Sequence, residues 1–261
     1  MKRTFILGVA LFIFTAGVIA PPAYAHYLWL TVDKYNPNPG EEINIFIGWG
    51  HKFPRDSEPR AKMVSKMTLF IINPQGKKIP LSIKPKAEKG VAPIKVMLKS
   101  PGTYLAVLAM KTFVSKTTEG YFYKPKDDLK NVLKSSWSET VAKAIINVGS
   151  PGGKTFSKEL RYHYQIVPLE NPINLKEGDL LPVKVMLNGK PVRTWVYARY
   201  ASFSQYKDTF AWTTRTNKEG VARVKILKKD LWLIKTNDSL PYENLKKADK
   251  YSFTATLTFE M

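Results

Sequence analysis

The chain carries three histidines, His26, His51 and His163, and no cysteine. Without thiolates, transition-metal chemistry falls to imidazole, carboxylate, amine and thioether donors. His26 follows Ala23-Tyr24-Ala25, a small-x-small pattern of the kind signal peptidase cuts. Cleavage there gives His26 a free α-amine beside its own imidazole. That amine and Nδ1 close a six-membered chelate ring on one metal ion, and because both belong to one residue, binding orders little else. An α-amine titrates at about 7.7–8.0, so a metal ion competes for it near neutral pH. Nitrogen-rich sites of this kind favour Cu(II) and Ni(II), with Co(II) and Zn(II) beside them.

His51 lies in Gly48-Trp49-Gly50-His51-Lys52-Phe53-Pro54-Arg55-Asp56. Glycines on both sides of Trp49 allow backbone angles that a pleated strand does not use, which predicts a shaped loop. Asp56, and Glu58 beyond it, are candidates for a further metal ligand or for an acceptor that fixes an imidazole tautomer. His163, in Tyr162-His163-Tyr164, precedes the second half of the chain, where sites between domains form. Against each stands the plainer reading of a lone histidine as a solvated or hydrogen-bonded structural residue. Metal binding therefore requires that the fold bring His26, His51, His163 and Asp56 together.

Other chemistry is poorly represented. There is no Gly-x-Ser-x-Gly, phosphate-binding loop or dinucleotide fingerprint. Nothing near the histidines suggests a serine triad, so no catalytic residues are assigned and the chain reads as a binding protein rather than an enzyme. Met63 and Met67 are spaced like a helical pair, but core filling explains them. Trp29, Trp49, Trp195, Trp212 and Trp232 offer a carbohydrate platform, yet aromatics scattered through strands normally pack inside.

The elements that must position these residues are short strands. Ile43–Ile47, Met67–Ile72, Ile94–Leu98, Tyr104–Leu108 and Ala142–Val148 are β-branched or aromatic runs of strand length. Pro, Gly and Asn clusters punctuate them. Asp127–Val141 is polar and lacks Gly and Pro, and is expected to form a short helix or ordered loop. Later come Leu181–Leu187, a tight turn at Asn188-Gly189 with a returning strand through Trp195–Tyr200, then Val221–Ile226, Leu231–Ile234 and Tyr251–Phe259. The last alternates cleanly and is expected to be half-buried.

These elements predict an all-β fold of two β-sandwich domains, residues 26–160 and 161–261, the second immunoglobulin-like or transthyretin-like. The first 25 residues read as a signal peptide: Lys2 and Arg3 precede an apolar run from Phe5 to Ala20. The mature protein is accordingly expected in the periplasm or secreted. A content of 44% hydrophobic residues supports packed cores. The excess of 41 Lys and Arg over 21 Asp and Glu is spread along the chain without a recognition-helix pattern. No nucleic-acid partner is expected, and weak association with anionic membrane or wall polymers is the electrostatic alternative.

Several short stretches, in order, carry a family likeness. They are His26-Tyr27-Leu28-Trp29-Leu30, Gly50-His51-Lys52-Phe53-Pro54 with Asp56, Ala142-Lys143-Ala144-Ile145, Ile166–Pro172 and Val185–Val192. In these the chain resembles a bacterial family of exported proteins of unknown function, described as the periplasmic component of ABC-type cobalt/nickel transport systems. The resemblance implies two β-sandwich domains, a role near nickel or cobalt handling, and an ABC-type or energy-coupling metal transporter as partner. With copper added from the donor chemistry of His26, the expected bound metal is Ni, Co or Cu. It carries the terminal and Gly-His histidines onto His26 and His51. Members often have an acidic residue before the Ile-Val-Pro segment; this chain has Gln165. The alternatives weighed against metal delivery are a wall-polymer or partner-binding module and a copper enzyme built on a histidine brace.

Overall fold

The computed structural model describes residues 26–87 and 90–261; the expected signal peptide, residues 1–25, lies outside them. The first half contributes β1 (Tyr27–Val32), β2 (Glu42–Gly50), a one-turn helix α1 (Ala61–Val64), β3 (Met67–Ile72), β4 (Lys78–Leu81), β5 (Ile94–Met97), β6 (Gly102–Thr117), β7 (Gly120–Phe122) and β8 (Val132–Val148). The second contributes β9 (Tyr164–Pro168), β10 (Leu180–Leu187), β11 (Lys190–Pro191), β12 (Trp195–Tyr200), β13 (Trp212–Arg215), β14 (Val221–Lys225), β15 (Leu231–Pro241) and β16 (Lys250–Glu260). The expectation of an all-β, sandwich-built protein is borne out.

Three sheets form the layers. A nine-stranded sheet runs β13-β12-β15-β16-β8-β6-β3-β4, with β7 on the end of β6. A three-stranded sheet, β1-β2-β5, packs on one of its faces, and a four-stranded sheet of β9, β10, β11 and β14 on the other. The long sheet joins the halves through a parallel pairing of β16 with β8, from Lys250 opposite Ser136 to Thr258 opposite Ala144.

Because both faces of β6 and β8 are covered, consecutive residues feed opposite cores. Leu105, Val107, Val141 and Ile145 enter one core; Tyr104, Ala106, Ala142 and Ala144 enter the other. This double coverage makes Tyr104–Met110 an unbroken apolar run in the sequence. Met63 and Met67 are buried in the core under the three-stranded sheet, as filler.

Two local expectations are corrected. Asp127–Val141 is mostly strand: a 3₁₀ turn covers Lys126–Asp128, and β8 begins at Val132. Its outer part pairs with β6 at a twisted end where many side chains stay exposed, so the polar composition reflects solvent rather than helix. The Asn188-Gly189 turn is present, both residues having positive φ (52° and 74°). However, β11 returns for only two residues before the chain crosses to β12 in the long sheet.

Candidate functional site

The register of one hairpin brings two histidines together. Strands β1 and β2 are antiparallel, with Tyr27 opposite Gly50 and Leu28 opposite Trp49. One step further along that register sets His26 opposite His51, where side chains of facing residues meet. The two imidazole centroids lie 4.5 Å apart, tilted by 52°. His26, itself exposed, stacks on the Trp49 indole at 5.4 Å and 7°.

The loop after β2 is fastened from several sides. Oδ2 of Asp56 accepts the backbone N–H groups of His51 (2.7 Å) and Lys52 (3.0 Å). Ser57 and Trp49 exchange backbone hydrogen bonds of 3.1 Å, and the Ser57 hydroxyl donates to the Trp49 carbonyl. Phe53 is buried against Tyr27, Trp29 and Leu233, and Trp29 Nε1 donates to the Pro54 carbonyl at 3.1 Å. The glycines have separate reasons. A Cβ on Gly48 would stand 2.1 Å from the Trp29 indole; Gly50 has φ +142°, and its Cβ would meet Asp56 Oδ2 at 2.2 Å.

A loop of the second half, between β12 and β13, closes over His51. The Asp208 N–H donates to the His51 carbonyl (3.1 Å), which also accepts the Tyr27 hydroxyl (3.3 Å). His51 Nδ1 lies 2.9 Å from Asp208 Oδ2, yet Nδ1 and the other carboxylate oxygen, Oδ1, are both buried without a hydrogen bond. The contact has ion-pair distance without hydrogen-bond direction.

Beneath lie two buried cations. Lys235 Nζ sits 4.4 Å from the Tyr27 ring centroid, with Tyr197 and Phe210 around it. Fully buried Arg199 donates to the Ser204 and Tyr206 carbonyls. Burial pushes the Lys235 ammonium below its ordinary range, an effect Asp208 opposes, and pushes the Tyr27 phenol up. The His26 imidazole is held below the usual histidine value by burial first, then by His51. That direction favours the neutral imidazole, the form that binds metals. For Asp56, the two loop N–H groups outweigh burial, and its carboxyl is held below the usual range.

His163 stands apart from this pair. Its Nδ1 is 3.0 Å from Glu139 Oε2, its backbone N–H donates to Oε1 (2.8 Å), and its ring packs on Trp137 and Phe253. Fully buried Glu139 also takes Lys111 Nζ at 2.8 Å. None of these partners touches His26 or His51. Among the described residues, no three His, Cys, Asp or Glu side chains converge into a ready metal cage. The fold gathers His26, His51 and Trp49, with Asp56 serving loop N–H groups and Asp208 added. Asp208 was missed because nothing in its polar loop, over 150 residues from His51, signals the contact.

A family model described as "Domain of unknown function (DUF4198)" matches residues 23–239. No curated protein matches the chain. Among solved structures, a DUF4785 family protein from Legionella pneumophila is 8% identical, with a TM-score of 0.29, over 90% of this chain and 56% of that one. The chain thus spans just over half the length of that protein. The FN1–FN3 domains of chicken CNTN1 are 8% identical, with a TM-score of 0.21, over 89% of this chain and 98% of theirs.

Proposed function

We propose that this chain, which belongs to the DUF4198 family, is a periplasmic binding protein that captures a divalent transition metal, nickel, cobalt or copper, through His26 and His51. The supporting observation is the 4.5 Å approach of two imidazoles, one at the expected mature N-terminus and one in a tied-down loop. Two ring nitrogens and the α-amine of His26 supply three neutral donors. Such a nitrogen set suits Cu(II) and Ni(II) above Zn(II) by geometry and ligand type. Asp208, carrying an oxygen without a hydrogen bond beside His51 Nδ1, is available as a fourth donor or as the group that orients the ring.

Delivery to an inner-membrane metal transporter fits the family likeness and an open, exposed His26, since cargo must leave as well as enter. The same openness supports a second reading. Two histidines, one of them terminal, are the donor set of a copper histidine brace, and an accessible copper ion is what oxidative chemistry on a polymer requires.

The test begins with exported protein whose intact mass establishes His26 as first residue. Ni(II), Co(II) and Cu(II) are titrated into it and into a chain with Gly-Ser added before His26. Loss of most affinity in the extended form, and again in His51→Ala, is the expected result. Equal binding by native and extended forms would end the proposal. Reductant- and peroxide-dependent cleavage of a polysaccharide by the copper form would favour the second reading.

A further inference from the structure

The three-stranded sheet covers only part of its side of the long sheet. Beyond β1, Arg199, Leu233 and Lys235 are buried on the same face, and past them its far end is exposed at Trp195, Arg215, Asn237 and Ser239. Registers across these strands align Arg215 with Trp195, and Asn237 with Thr254. Continuing the pairing of Val196 with Thr236 by one step sets Trp195 beside Asn237, completing a row of four side chains across four strands. The next row holds Ser239 opposite Ser252; Arg193 also faces the space, as does Lys250, two residues further along β16. Together they line a cavity of 360 Å³, the size class of a small-ligand site.

The chemistry of this floor is specific. Trp195 is 49% exposed, although a tryptophan normally hides in a core, and the Arg215 guanidinium lies 5.7 Å from its ring centroid. The other floor groups are an amide and hydroxyls, suited to a ligand that both donates and accepts hydrogen bonds. Arg193, Arg215 and Lys250 are opposed by one carboxylate, Asp238, which already takes the Ser239 N–H at 2.7 Å. A flat apolar ring face, neutral polar partners and surplus guanidinium match a sugar ring stacked on tryptophan with its acid group on arginine.

We propose that this open face binds an acidic oligosaccharide, with one sugar on Trp195 and a neighbouring carboxylate held by Arg215 and Arg193. The site does not depend on bound metal. Lys235 nevertheless belongs to both places, lining the cavity and standing over Tyr27 below the histidines, so a polymer on this face would pass close to the metal site.

The experiment uses the metal-free mature protein and calorimetric titration with a galacturonic acid hexamer, beside its fully methyl-esterified, uncharged counterpart. Saturable binding of the acid form is expected, with about tenfold or greater weakening in Trp195→Ala and in Arg215→Ala. Trp195→Phe should recover part of the loss, and unchanged circular dichroism and melting temperature would establish that the variants are folded. Absence of saturable binding to the hexamer, or equal binding by parent and both alanine variants, would overturn the assignment. Tighter binding of a single-stranded DNA hexamer through the same residues would overturn it too, since a base would then be the stacked group.

Discussion

A lysine in the wrong solvent sets the pH response of this protein. Lys143 is 1% exposed, on the face of β8 that also sends Val141 and Ile145 into the core. Its Nζ donates to Gln165 Oε1 (3.1 Å) and the Ile166 carbonyl (2.9 Å), and no carboxylate among the described residues stands in hydrogen-bond reach. Burial drags its pKa from 10.5 to about 7, against a smaller opposing pull from Glu159. Between those values the unfolded chain holds a proton that the native state has released, so stability rises with pH. The buried phenols of Tyr27, Tyr35 and Tyr164 are pushed up, which works the other way once unfolded tyrosines ionise, at about pH 10. The unfolding free energy from urea melts should therefore climb from about pH 7 to about pH 10 and then fall. Lys143→Met should reduce that climb, leaving the part that Lys235, also depressed by burial, contributes, and be at least as stable as the parent at pH 6. A flat parent profile over that range would contradict the assignment. Nothing local marks Lys143 as buried, since a lone lysine within the apolar run Val141–Ile146 reads as the one residue turned to solvent.

At the scale of elements, the approach of His26 to His51 rests on β1, the edge strand that His26 immediately precedes. In the order β1-β2-β5, one edge of β1 has no strand beside it among the described residues. The Leu28 and Leu30 carbonyls on that edge instead accept the hydroxyls of Thr256 (2.8 Å) and Thr258 (2.7 Å) from β16. These threonines are 1% and 0% exposed. The alternation of Tyr251–Phe259 is legible in the sequence, and the aromatic side does enter the core. The threonine side was expected to face water, and is buried because β1 lies over it. Nothing local distinguishes a threonine facing water from one capping a carbonyl. Replacing both by valine keeps the shape and leaves two buried acceptors unmet, which should cost about 2 kcal/mol or more in denaturant unfolding. Nickel or copper affinity should fall in the same variant, because His26 is no longer held opposite His51. The double serine variant should recover most of both, whereas full stability in the valine form would show that the pairing with β2 and packing hold β1 without these caps.

The whole molecule is tied together by contacts that no single segment announces. Strand-length runs, turns and the sandwich class can be read from period and punctuation. The parallel pairing of β16 with β8 joins segments about a hundred residues apart and leaves no local trace. One core contains Phe70, Leu105, Val107 and Val141 from the first half beside Ile166, Val183, Trp232 and Leu257 from the second. The site repeats the pattern, with His51 from one half and Asp208 and Lys235 from the other around Tyr27. Halves that share a sheet and a core cannot bury their apolar surface separately, so each stabilises the other. Scanning calorimetry of residues 26–261 should give one transition whose calorimetric and van't Hoff enthalpies agree. Residues 161–261 expressed alone should lack a cooperative melt, since β16 keeps β15 but loses β8 along its other edge and the four-stranded sheet loses much of what it covers. Mixing with residues 26–160 should restore both the transition and the protection of the Trp232 ring from quenchers. Two resolved transitions, or an independently folded C-terminal fragment, would mean that the halves are autonomous sandwiches and that coupling between the His51 loop and Asp208 is a weak docking contact.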